Sequence, residues 1–135
     1  MDAAERERLV NAYIERFTRR YEWDREMVLQ EIKGAREENF WAFEVFDDVS
    51  RTDPELCWEL ILQTLHTPHT ESVEEILAAG PLEDLLARFG PAFIDRVEAR
   101  AEQDPKFKDL LGGVWQNDMT NEVWARVQAC RGEPW

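Results

Sequence analysis

The sequence predicts an all-α domain on three observations. Apolar residues recur at three- and four-residue steps, prolines and glycines fall where helices start and stop, and no segment alternates apolar with polar residues as a strand does. The expected architecture is a compact orthogonal bundle of about seven or eight helices.

In the first helix, Leu9, Val10, Tyr13, Ile14, Phe17 and Tyr21 form one apolar stripe, with Arg and Glu opposite. A second helix is expected from about Asp24 to Lys33, carrying Met27, Val28 and Ile32, with Gly34 at its end. These two make an N-terminal pair over 1–36. The stretch Phe40–Phe46 is apolar on nearly every side, which predicts a helix at the centre of the core. Asp53-Pro54 supplies an N-cap and a first-turn proline for a helix with Leu56, Trp58, Leu60, Ile61, Leu62 and Leu65.

His66–Thr70 reads as a loop, and Val73–Ala79 as a short helix stopped by Gly80. Pro81 then starts a helix through Leu82, Leu85, Leu86 and Phe89, which Gly90 closes; Pro91 opens the next, with Phe93, Ile94 and Val97. Asp104-Pro105 repeats the cap before Phe107, Leu110 and Leu111. After Gly112-Gly113 a final helix holds Val123, Trp124 and Val127, and Arg131–Trp135 has no helical pattern. The expected organisation is thus an acidic helical core over 37–131 and a tail over 132–135.

Phe46–Leu56 can be laid on Val97–Phe107, since each is a helix end, an Asp-Pro corner and a helix start. Helical pairs repeated at such a distance would resemble a HEAT-like array, although Asp-Pro is also the ordinary way to begin a helix.

The 135 residues are 44% apolar and 33% charged, enough for one core and too ordered in composition for a disordered chain. No apolar run approaches the roughly 20 residues that cross a bilayer, and the charged start, Met1–Arg8, suits neither a signal peptide nor an anchor. Cys57 and Cys130 sit in helical patterns and read as two buried thiols in a reducing cytoplasm.

The net charge of −13 is local. Residues 1–36 hold eight acidic and eight basic side chains, whereas 37–99 hold fifteen acidic and three basic. Such a surface disfavours phosphate backbones and anionic membranes and suits a basic protein partner. Self-association into a homo-oligomer is compatible with it.

No catalytic constellation emerges. His66 and His69 are the only histidines, with Glu71 nearby, and are the candidates for a metal site; Pro68 between them breaks the helix that would put both rings on one face. The carboxylate pairs Glu37-Glu38, Asp47-Asp48, Glu74-Glu75 and Glu83-Asp84 are sequence neighbours, pointing about 100° apart on a helix, and read as solvated faces. Ser50 and Ser72 lack a nucleophile setting, and Gly112-Gly113 is too short to cradle phosphate. No metal and no cofactor are expected. Of the six tryptophans, Trp41, Trp58 and Trp124 read as core. Trp115 beside Gln116 and Asn117 reads equally as a plug or a partner anchor, and Trp135 as exposed unless the tail folds back.

The run Leu77–Gly90, with Phe93–Arg100, Asp104-Pro105 and Leu111-Gly-Gly-Val-Trp115, resembles a family of short bacterial helical proteins known only as a domain of unknown function. The resemblance spans roughly Phe40 to Gly132. It implies fold class and bacterial origin but carries no catalytic residues.

The leading expectation is therefore a non-enzymatic, acidic interaction protein of the bacterial cytoplasm, such as an immunity or antitoxin-like protein. Its candidate partner-binding residues are Asp47, Asp48, Glu74, Glu75, Glu83, Asp84, Trp115, Gln116 and Asn117. The alternatives are a metal-binding protein or enzyme centred on His66 and His69, a mimic of nucleic-acid charge, and a structural subunit of a larger assembly.

Overall fold

A computed structural model describes residues 1–18 and 38–135. The helix expected over Asp24–Lys33, together with Tyr21, Trp23, Gly34 and Glu37, lies outside the described residues. Among those residues the regular structure is all helical and there is no strand. In order it forms α1 (Ala3–Phe17), α2 (Phe40–Thr52), α3 (Pro54–Leu65), α4 (Glu71–Leu77), a π-turn (Ala78–Leu82), α5 (Glu83–Gln103), α6 (Pro105–Leu111) and α7 (Asn121–Cys130).

The caps are those that the sequence dictates. Asp2 accepts from the Glu5 N–H, Asp53 from the Leu56 N–H and Thr120 from the Val123 N–H. Asp104 accepts from both Lys106 and Phe107. Asp53 and Asp104 each also end the preceding helix, their N–H groups bonding the Val49 and Arg100 carbonyls. The local corner therefore recurs. Its flanks differ, with α2 and α3 of 13 and 12 residues against 21 and 7 for α5 and α6.

The centre is α3, not α2. It packs against α1, α2, the π-turn, α5 and α6, and buries Cys57, Trp58, Leu60, Ile61, Thr64 and Leu65. Helix α2 buries Ala42, Phe46 and Val49 but exposes Phe40 and Phe43. Beyond Phe46 it carries Asp47, Asp48 and Arg51, so one face must meet water and the two phenylalanines on that side go with it. Arg16 lies over both rings at 4.9 and 5.6 Å.

Gly80 and Pro81 do not stop the chain either. The helix widens by one residue, with the Glu83 N–H reaching back to the Ala78 carbonyl five residues away. This wider turn carries Pro81, which has no N–H to give, and α4 continues into α5. The break expected at Gly90-Pro91 is a kink in one helix, with Phe89 at φ −126°, ψ 16°. Gly90 serves contact there, because a Cβ on it would lie 2.9 Å from Val123 Cγ1 of α7. Trp58 meets Phe107 edge-on at 5.4 Å in the core. Trp41 and Trp124 are only partly buried, beneath Arg8 and Arg131. Both thiols are free; Cys57 is fully buried, while Cys130 is half-buried rather than enclosed.

Candidate functional site

Helices α4 and α6 place Glu71, Glu74, Glu75 and Asp109 around one open depression, and Trp135 supplies its aromatic wall. The tail reaches this position by backbone pairing. The Gly132 N–H donates to the Lys108 carbonyl, and the Trp135 N–H to the Gly112 carbonyl. Gly112 and Gly113 make room for it. A Cβ on Gly112 would run into the Glu133 carbonyl, and one on Gly113 into the Trp135 ring. The indole remains 49% exposed, so one part rests on the glycine corner while the rest is open to a ligand. The depression has a volume of about 520 Å³, large enough for a short peptide segment.

Beside it, sharing Glu74, lies a second depression lined by His66, His69 and Lys106. His66 Nε2 is 2.6 Å from Asp104 Oδ2, and Arg100 Nη2 is 3.0 Å from the same oxygen. Asp104 is buried at 8% exposure. Burial acts to raise its carboxyl, but the His66 bond, the Phe107 N–H and Arg100 outweigh this and hold it below the usual carboxylate range. His69 turns Nδ1 to the Thr67 carbonyl at 2.6 Å and Nε2 towards Glu74 at 3.4 Å. The two imidazoles thus serve separate partners. Among the described residues no three His, Cys, Asp or Glu side chains gather as a metal site.

The remaining candidates fall in two places. Asp47 and Asp84 line a small cleft with Tyr13, Phe43, Phe46 and Ile76, between α1, α2 and the π-turn. Asp47 is paired with Arg51 at 2.5 Å, and Asp48 is exposed on the same helix. Burial, and then the Asp47 charge, push the Asp84 carboxyl up, against Arg88 and Arg51. Glu83, read as a solvated surface acid, is buried at 7% exposure and accepts from the Trp115 N–H at 3.2 Å. Burial raises its carboxyl despite that bond. The solvated-face reading therefore fails for Glu83-Asp84, because the first turn of α5 is covered by the corner that follows α6.

That corner points Trp115 outward at 68% exposure, so it does not plug the core. Gln116 holds it by donating to Asn121 Oδ1 at 2.8 Å, and Asn117 takes a left-handed φ of 46°. Trp115 and the depression around Trp135 are separate features. Sequence reading did not select Glu71, Asp109, Trp135 or Tyr13 as site residues. Asp109 and Trp135 meet through the folded tail, which no helical period reveals. Tyr13 is indistinguishable by spacing from the core residues around it.

Among the described residues the arrangement is that of a helical domain with carboxylates disposed on its surface. The chain belongs to the family of unknown function DUF6869, whose model matches residues 29–134. No curated protein and no solved structure matches it.

Proposed function

We propose that the protein is a non-enzymatic interaction protein of the bacterial cytoplasm that docks a basic segment of a protein partner. The observation that carries this reading is the convergence of Glu71, Glu74, Glu75 and Asp109 around the half-exposed indole of Trp135. Carboxylates beside an aromatic face suit Arg and Lys, which gain from ion pairs and from cation–π contact of about 0.5–2 kcal/mol. The excess of fifteen acidic over three basic residues in 37–99 would speed capture of such a partner. An immunity or antitoxin-like role is the most concrete form. The recurring Asp53 and Asp104 corners support a paired-helix architecture beneath this surface.

Titration calorimetry with an arginine-rich peptide tests the reading. The quadruple variant Glu71→Gln, Glu74→Gln, Glu75→Gln, Asp109→Asn should bind at least about tenfold more weakly, and Trp135→Ala several-fold more weakly. A charge-matched control, Glu44→Gln, Asp48→Asn, Glu102→Gln, Glu122→Gln, should lose much less. Equal losses in the two quadruple variants would mean that only net charge attracts the peptide, and the depression would lose its role.

A further inference from the structure

The cleft between α1, α2 and the π-turn has a chemistry that the acidic surface does not explain. Its walls are the rings of Phe43 and Phe46 with Ile76, and its polar side chains are Asp47, Asp84, Tyr13 and Ser50, whose hydroxyl donates to the Asp47 carbonyl. Tyr13 is 1% exposed. Among the described residues its hydroxyl makes no hydrogen bond; burial, and then the nearby Cys57 and Asp84 groups, push the phenol up, against the Arg16 charge. The residue lines the cleft, so its hydroxyl is left to bond whatever enters there. The Asp84 carboxylate stands in the same cleft, half-buried, between the field of Asp47 and the opposing fields of Arg88 and Arg51.

We propose that this cleft binds a primary alkylammonium group, with its nitrogen between Asp84 and the Tyr13 hydroxyl and its methylenes against Phe43, Phe46 and Ile76. The nitrogen has three N–H donors, and the cleft offers the Asp84 oxygens, the Tyr13 oxygen and the Asp47 carboxylate, which it would share with Arg51, to receive them. The rings add cation–π attraction to the positive head. Two carboxylates exclude an anion. The volume of about 40 Å³ suits a small head group of a few heavy atoms. A bare metal ion is disfavoured by the apolar walls, since it needs more oxygen ligands than the cleft provides. This inference does not rest on the depression at Trp135, which uses other residues.

The experiment uses the full chain and n-butylammonium chloride, followed by ¹H–¹⁵N NMR at constant ionic strength. Saturable shifts are expected around Tyr13 and Asp84, with Kd on the order of 1 mM for so small a ligand. Asp84→Asn and Tyr13→Phe should each weaken binding about three- to tenfold, and 1-butanol should bind at least about tenfold more weakly than the amine. Tyr13→Phe keeps the ring, so the fold is retained for the comparison. Nα-acetyl-lysine methylamide distinguishes the source. Binding of both amines supports a site that also accepts a lysine side chain, and binding of butylammonium alone supports a site for a free amine. Absence of saturable shifts with butylammonium, equal binding of 1-butanol, or unchanged affinity in both variants would overturn the proposal. The quadruple variant of the Trp135 depression should bind butylammonium like the parent, which keeps the two proposals separable.

Discussion

Asp104 carries three duties in one carboxylate. It caps α6 through the Lys106 and Phe107 N–H groups, bonds His66 across 38 residues of chain, and pairs with Arg100 one turn before it. A capping aspartate was legible from the Asp-Pro dipeptide, but its link to His66 depends on how α3 and α5 pack and leaves no trace in spacing. Because its carboxyl is held below the ordinary value, the ionised form stabilises the fold above the unfolded pKa of about 4. That stability is lost as pH falls through the lower folded value. Asp104→Asn keeps a good capping residue and removes the charge. It should cost about 1–2 kcal/mol at pH 7, and the difference from the parent should shrink as pH falls from the unfolded value of about 4 through the lower folded one. Urea unfolding across that pH range measures it; a gap that persists unchanged at low pH would assign the effect to the cap alone.

At the scale of elements, glycines decide how closely the helices and tail approach. Gly90 brings α5 onto Val123 of α7, where a Cβ would lie only 2.9 Å from Val123 Cγ1, too close for a stiff β-branched neighbour. Gly90→Ala should therefore destabilise by about 1 kcal/mol despite the better helix propensity of alanine. Adding Val123→Ala should recover part of this, giving a favourable coupling in a double-mutant cycle by chemical denaturation. Strict additivity would show that the two helices do not meet there. Gly113→Ala acts on the tail instead. Its Cβ would displace the Trp135 ring, costing about 1–2 kcal/mol and accelerating tryptic release of the segment after Arg131, read by mass spectrometry. The same comparison shows what local sequence could reveal. Asp-Pro corners and apolar stripes are short-range signals, and Asp53, Asp104 and the face of α1 follow them. Gly80-Pro81 is read as a stop because a π-turn that absorbs a proline has no distinct composition. Phe40 and Phe43 read as central until the charges that follow on α2 are counted with them. The depression at Trp135 stayed hidden because the glycine pair that admits the tail looks like any other turn.

At the scale of the whole molecule the dominant quantity is charge. Ion pairs offset little of it: Arg96 with Glu55, Arg6 with Glu59, and Arg126 with Asp95 and Glu98 are all at the surface, where solvent screens them and they stabilise weakly. The fifteen acidic residues of 37–99 face only three basic ones within the same stretch, and α2, α4 and the start of α5 hold many of them close together. Salt weakens both the attraction of the pairs and the repulsion among the acids. With 29 acidic against 16 basic side chains, relief of repulsion should win. Raising NaCl from about 10 mM to about 300 mM shortens the screening length from roughly 30 Å to below 10 Å. Stability towards urea should then rise by about 1 kcal/mol. The increment should be smaller in Glu44→Gln, Asp48→Asn, which thins the same field without touching the Trp135 depression. A fall in stability with salt would mean that the surface ion pairs outweigh the acidic excess, and the field credited with drawing a basic partner would be weaker than the net charge implies.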